Sequence, residues 1–420
     1  MSRSLEHDFF RHEYGRLVAM LCRRVGVRHL QAVEDAVQTA LLAAVDDWPR
    51  AELPESPSAW LFRVASNRLV GELQRRQRHG ELDREHWVAL DGTVSPSTVH
   101  LRGDVEDDLL RMIFVCCSDA LPTESQRVLA LKVVCGFSVR EIAERLFMTE
   151  ANVYKRLGRA QARLRGEALQ LDGVETEQFA ARLPAVQAVA YLLFSEGYLS
   201  SHAEMPFRRE LCDEAKRITG LLATHPIGAT PETYALLALM HLHSARASAR
   251  RSASGGLVLL EEQNRSRWNA AEIGLGLSWL ARSACGDRFS RYHAEAGIAA
   301  EHCLAPSFAE TRWDRIVECY ELLERAAPSA LHTLNRAVAV AEHLGPLEGL
   351  AVLDRLEIPP WLERSYIWHA VLAYLQGRCG RVELARQHAD AALARAPSAS
   401  IADALERRLA PFMTRQGDGC

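Results

Sequence analysis

GFSVREIAERLFMTEANVYKRLGRAQARLR, residues 136–165, decides how the rest of the chain is read. Ser138 stands where a helix needs its N-cap, and Glu141 three residues later completes a capping box. Ile142, Ala143 and Leu146 give that helix a buried stripe. Phe147 and Met148 make a turn, and Thr149 is the expected N-cap of a second helix. In the second helix Val153, Leu157, Ala160 and Leu164 recur on one inward face. Tyr154, Lys155, Arg156, Arg159, Arg163 and Arg165 point the other way, and no acid occurs from Ala151 to Arg165. A helix-turn-helix whose second helix is cationic and uncompensated suits a DNA major groove. Taken alone, the stretch also fits a structural hairpin with a solvated basic face.

Working outward, 420 residues exceed one compact core, and about two to four domains are expected. The richness in Ala, Leu, Arg and Glu favours helix, and no strand-like alternation persists, so the expected class is all-α. No run of about 18 apolar residues is present, so no membrane span is expected. The N-terminal MSRSLEHDFFRHEY is charged where a signal peptide needs an apolar core. The ten cysteines are scattered without a CxxC pair, which fits buried reduced thiols in a cytoplasmic protein. The net charge of −4 lies entirely beyond residue 170, because acids and bases balance before it. Within that first part, bases concentrate in Arg63–Arg78 and Lys155–Arg165. Phosphate contacts are short-ranged and screened beyond about 10 Å, so two local patches matter more than the total.

Residues 7–80 read as a first helical domain. Leu17, Val18 and Leu21 face inward on its first helix. In Leu30–Trp48 the inward side is Val33, Ala36, Val37, Ala40, Leu41, Ala44 and Val45, and Glu34, Asp35 and Gln38 form the polar side. The proline-rich loop 49–57 ends that helix, and Ser56 with Pro57 starts the next. That helix, 57–79, sends Leu61, Val64, Ala65, Leu69 and Leu73 inward. Arg63, Asn67, Gly71, Gln74, Arg75 and Arg78 line its other side. Gly71 in mid-helix suggests another backbone close by, with chance an equal explanation. Trp60 and Phe62 flank the basic stripe, either as base-stacking groups or as core residues. A linker at 81–104 leads to a second helical domain, 105–168, in which Thr123 and Gln126 form a further capping box.

From 180 to 415 the chain is long Ala- and Leu-rich runs with short polar breaks. Leu334–Leu353 and Trp368–Leu393 resemble each other at about 34 residues, pairing Asn335 with His369, Ala339 with Ala373 and Gly345 with Gly380. That period is expected of stacked tetratricopeptide-like helical pairs. His241 and His243 face different sides of a helix, and His293 and His302 lack an evident third ligand, so no metal is expected. Walker, GxGxxG, GxSxG and HExxH motifs are absent, and no nucleophile–base set stands out, so neither a cofactor nor catalysis is expected.

Together the pieces resemble a known family. DAVQTALLAAVDDW at 35–48 and SAWLFRVASNRLVGELQRR at 58–76 look like regions 2.2 to 2.4 of an extracytoplasmic-function sigma factor, and residues 136–165 look like region 4.2. LLRMIFVCCSDAL at 109–121, YLLFSEGY at 191–198, EEQNRSRWN at 261–269 and LNRAVAVAE at 334–342 extend the resemblance to the sigma-factor group, forty-two, with a tetratricopeptide-like C-terminal extension. The resemblance implies core RNA polymerase as partner, through the β′ clamp helices and the β flap, and promoter DNA as ligand. Asp35, Gln38, Leu41 and Leu42 would then face polymerase, with Thr39 standing where relatives often carry an acid. Trp60, Arg63, Asn67, Arg75 and Arg78 would serve the −10 element. Tyr154, Lys155 and Arg159 would read −35 bases, with Arg156 and Arg163 on phosphates, while Gly158 offers no side chain at a position where relatives have one. The C-terminal repeats would modulate activity in cis and offer a surface for a further protein partner.

Overall fold

The computed structural model describes residues 3–49, 53–78, 103–146, 148–166, 176–198, 209–250 and 256–413. The linker expected at 81–104 falls almost wholly outside these residues, as do Phe147 and part of the 49–57 loop. Among the described residues there are helices and no strand, so the all-α expectation holds. They divide into two compact units, the second beginning at Thr230.

The first unit opens with α1 (Arg3–Val25), α2 (Leu30–Asp47) and α3 (Pro57–Arg78). Leu17, Val18 and Leu21 of α1 meet Val33, Val37 and Ala40 of α2 and Leu61, Ala65 and Leu69 of α3 in a solvent-free core. Two positions on α2 depart from the simple two-sided reading. Val45 is exposed, and Glu34 is buried at 6% exposure. Next come α4 (Gly103–Cys116), α5 (Thr123–Val133), α6 (Val139–Arg145) and α7 (Glu150–Gly166). They pack on α1 rather than standing apart, through α4 and the end of α5. The contact is backbone-close at Gly15, where an added Cβ would lie 2.1 Å from the Val134 carbonyl oxygen. Arg23 of α1 also donates to Asp108 of α4 at 2.8 Å.

Two further helices, α8 (Thr176–Tyr198) and α9 (Arg209–Thr224), cover α4 and α5. Buried Arg182 of α8 reaches the Phe114 carbonyl at 3.5 Å and lies 3.7 Å from the Asp119 carboxylate. By packing, these two helices therefore go with the first unit. Cys22, Cys116, Cys117 and Cys135 are buried free thiols in its interior. Burial pushes the acidity of Cys22, Cys116 and Cys117 down, with the Cys117 pKa raised to about 12, so they behave as small apolar side chains.

In the second unit, α10 (Pro231–Ala245), α11 (Ala270–Ser283), α12 (Arg291–Leu304) and α13 (Trp313–Ala326) pack in succession. They are followed by α14 (Ala330–His343), α15 (Pro346–Leu353), the single turn α16 (Pro360–Glu363), α17 (Tyr366–Arg378), α18 (Val382–Leu393) and α19 (Ala399–Met413). The proposed repeat is visible as two helical hairpins, α14–α15 and α17–α18. Gly345 and Gly380 occupy their turns with φ of +114° and +74°, values that a side chain would strain. Ala339 and Ala373, also one repeat apart, are both buried. Leu334, Leu353, Leu362, Trp368 and Leu375 form the shared core between the hairpins, as stacked repeats require.

Candidate nucleic-acid interface

Ser138 caps α6 as expected, accepting from the Glu141 N–H at 3.2 Å while Glu141 accepts from the Ser138 N–H at 2.7 Å. The Met148 N–H bonds to the Ala143 carbonyl at 2.9 Å and closes the turn. The Thr149 hydroxyl oxygen accepts from the Asn152 N–H at 3.3 Å and starts α7. The other capping box does not form. Thr123 is already the first residue of α5, whose N-cap is Pro122. Gln126 is buried instead and donates to the Ser118 and Leu121 carbonyls at 2.9 and 3.0 Å, which ties the α4–α5 turn internally.

On α7, Val153, Leu157, Ala160 and Leu164 are buried, and Tyr154, Lys155, Arg159, Arg163 and Arg165 are exposed. Tyr154 presents 62% of its surface, and neither it, Lys155 nor Arg159 has a side-chain partner among the described residues. Arg156 differs from its neighbours because it is half-buried and ion-paired with Glu124 of α5. Gly158 faces open space. The surface is therefore a ridge with two uncompensated cations, Lys155 and Arg159, beside one aromatic ring.

The second basic stripe is on α3. Arg63, Asn67, Gln74, Arg75 and Arg78 are exposed. Gly71 is exposed too, with nothing within 4 Å of an added Cβ, so no neighbouring backbone explains it. Arg75 and Arg76 both pair with Glu72, whose carboxyl they hold below the usual range, chiefly through the Arg76 hydrogen bond. Arg68, next to Asn67, is an exposed cation missed by a stripe drawn through every fourth residue. Phe62 is a core residue beneath the Arg24 guanidinium. Trp60 is half-buried, edge-on to Trp48 at 5.7 Å, and Trp48 stacks on Phe10. An aromatic cluster thus supports the start of α3.

The outer side of α2 carries Gln31, Asp35, Gln38 and Leu42 in the open, Leu42 at 66% exposure, with Leu41 half-buried beside them. Beneath that side, Glu34 accepts from the Tyr14 hydroxyl at 2.8 Å and from Gln161 of α7 at 2.9 Å. Burial raises the Glu34 pKa above the usual carboxylate range, opposed by the Tyr14 bond and the nearby Lys132 charge. No cluster that could hold a metal occurs among the described residues. His241 pairs with Glu272 at 2.7 Å instead.

A helix-turn-helix with an open cationic ridge, accompanied by a second basic helix in the same unit, is an arrangement chemically suited to DNA phosphates and bases. Residues 10–79 match the family described as sigma-70 region 2 and residues 111–164 match sigma-70, region 4. Residues 182–284, which fall in both units, match a family of unknown function. An uncharacterized protein of Rhizobium meliloti is 36% identical over 384 residues, 91% of this chain and 90% of that protein. A probable RNA polymerase sigma factor, RfaY, of Xanthomonas campestris pv. campestris is 31% identical over 166 residues, 37% of this chain and 40% of its own. No solved structure matches the chain. The chain thus carries regions 2 and 4 of the sigma-70 family of RNA polymerase sigma factors, non-catalytic subunits that serve transcription initiation with core polymerase and promoter DNA. No helix among the described residues is long and apolar enough to cross a membrane.

Proposed function

We propose that the chain is an alternative sigma factor of the extracytoplasmic-function type, acting in the bacterial cytoplasm, with its C-terminal helices controlling initiation in cis. The observation that carries this reading is the α7 ridge, where Tyr154, Lys155 and Arg159 stand exposed and unpartnered near the start of the recognition helix. They read the −35 element, with Arg163 on phosphate. Arg156 is a weaker contact because Glu124 already compensates it. Arg63, Asn67, Arg75 and Arg78 line the −10 strand on α3, and Trp60 stacks at its start. Asp35, Gln38, Leu41 and Leu42 meet the β′ clamp helices, while the α4–α7 unit meets the β flap. The repeats of the second unit also offer a surface for a protein partner.

Run-off transcription with purified chain and core RNA polymerase, on promoters drawn from a genomic screen, tests the reading. Specific transcripts that require the chain are expected. DNA binding without initiation on any promoter would instead favour a helix-turn-helix regulator that never joins polymerase.

A further inference from the structure

A cavity of about 390 Å³ lies within the second unit, in the size range of small-molecule sites. Its floor comes from α14 and α17, one side from α12 and α13, and the rest from α19 and the 3₁₀ turn Leu260–Glu262. Helix α19 lies along it and forms part of its wall. Arg407 of α19 donates to the Leu257 carbonyl at 2.6 Å and pairs with Glu262 at 3.3 Å, so α19 is latched to a segment about 145 residues earlier. A groove already covered by its own helix has room for a compact molecule and none for a partner's helix. The latch is an exposed ion pair, which contributes little stability and opens readily.

The lining specifies the guest. Ile316, Val338, Ala339, Ile367, Val371 and Leu409 make the wall mostly apolar, and Trp313 adds a ring face. Three neutral polar side chains interrupt it, Tyr320, Asn335 and Tyr366, and none has a hydrogen-bond partner among the described residues. Burial raises both tyrosine pKa values, so the phenols stay protonated and able to donate. The charges at the wall, by contrast, each lie near an opposite charge, with the Arg408 Nε making no hydrogen bond among the described residues. Glu342 accepts from Arg378 at 2.7 Å and from the Tyr374 hydroxyl, and Arg408 lies 4.0 Å from Glu261 and 4.7 Å from the Tyr374 ring centre. His302 is held neutral, its pKa lowered to about 3 by burial and by Arg246 and Arg265. A charged guest would lose its hydration and have to compete with these ion pairs for a counter-ion. An uncharged guest with a ring and one or two hydrogen-bonding groups would meet rings, aliphatic walls and three waiting partners.

We infer that this cavity is a binding site for a small, uncharged, ring-bearing molecule, through which the C-terminal extension receives a chemical input. The inference rests on the proposed control in cis for its consequence and on the cavity alone for binding. Binding is therefore measured on the full chain without polymerase or DNA, so its failure leaves the sigma-factor reading standing, and a failed transcription assay leaves binding standing. The probes are 2-naphthol and its anionic counterpart 2-naphthoate, titrated by calorimetry at neutral pH. Saturable binding of about one 2-naphthol per chain is expected, with 2-naphthoate at least about tenfold weaker. Asn335→Leu is expected to weaken 2-naphthol about fivefold or more without lowering the melting temperature. Ala370→Leu, which intrudes on the cavity, is expected to abolish binding. Should that variant fail to fold, Asn335→Leu alone carries the comparison. Equal or tighter binding of 2-naphthoate overturns the inference. So does the absence of saturable binding below about 1 mM, or unchanged affinity in a folded Asn335→Leu chain.

Discussion

Gln161, on the basic helix α7, donates a 2.9 Å hydrogen bond to Glu34, on the helix α2 whose outer side carries Asp35 and Gln38. The bond joins residues 127 apart in sequence, and Arg165 to Gln31 at 3.3 Å repeats it one turn on. With Gly15 against Val134, these contacts hold the basic helices α3 and α7 in one compact unit. Promoter elements at −35 and −10 are separated by roughly 85 Å of duplex at about 3.4 Å per base pair. A compact unit of about 200 residues has a radius of gyration near 17 Å. On the proposed assignment of α3 to −10 and α7 to −35, simultaneous contact requires α1–α3 to part from α4–α7. Fluorophores on α3 and α7 are expected to show high energy transfer in the free chain and a large loss on adding core polymerase and promoter. Unchanged transfer in an active complex would contradict the separation.

Gly15→Val places carbon atoms where the Val134 carbonyl sits. Overpacking of this kind costs about 1–3 kcal/mol. The expected result is a lower melting temperature and faster amide exchange in α1 and at the end of α5, while Gly71→Ala, in open space, is neutral to stabilising.

On the −35 side, Lys155→Ala with Arg159→Ala is expected to abolish promoter-specific transcription. Each good base contact is worth roughly 5- to 150-fold in discrimination. Arg156→Ala is expected to cost clearly less, because Glu124 already pairs with it. Gly158→Arg adds a cation where nothing obstructs a side chain, and binding is expected to tighten with the salt slope steeper by about one unit. Promoter-binding titrations at several salt concentrations check all three.

Leu42 offers a separate handle on polymerase. Leu42→Asp is expected to weaken core-enzyme binding about tenfold or more while leaving the melting temperature unchanged, since Leu42 is 66% exposed in the free chain. Equal affinity for core enzyme would remove the outer side of α2 from the interface.

Acid is expected to destabilise the second unit. The His302 pKa is lowered to about 3 by burial, with Arg246 and Arg265 adding to it, and His243 is lowered to about 3 in the same way. A value below the unfolded one of about 6.5 means the contribution is complete above pH 6.5 and is lost as pH falls toward 3. At pH 5 the linked cost is roughly 2 kcal/mol per imidazole. The melting transition is expected to fall between pH 7 and pH 5, and His302→Asn is expected to flatten that dependence. A transition independent of pH over this range would show that the imidazoles are protonated without penalty.

Much of the molecule was already determined by local pattern. The capping box at Ser138 and Glu141, the inward positions of α7 and the exposed stripe from Arg63 to Arg78 all follow from helix periodicity, which neighbouring residues alone dictate. The about 34-residue spacing likewise anticipates the paired turns at Gly345 and Gly380. Only the tertiary structure decided which polar groups are free. Glu34 looks like a surface acid until Tyr14 and Gln161 close over it, and Arg156 looks like a phosphate contact until Glu124 meets it. Gln126 reads as half of a cap and is a buried brace. The cavity beneath α19 has no sequence signature, because its walls come from segments about 145 residues apart that meet only when the repeats stack. Periodicity reports the direction a side chain takes from its own helix. What stands in that direction depends on chain that is distant in sequence, and burial, pairing and cavity shape are set there.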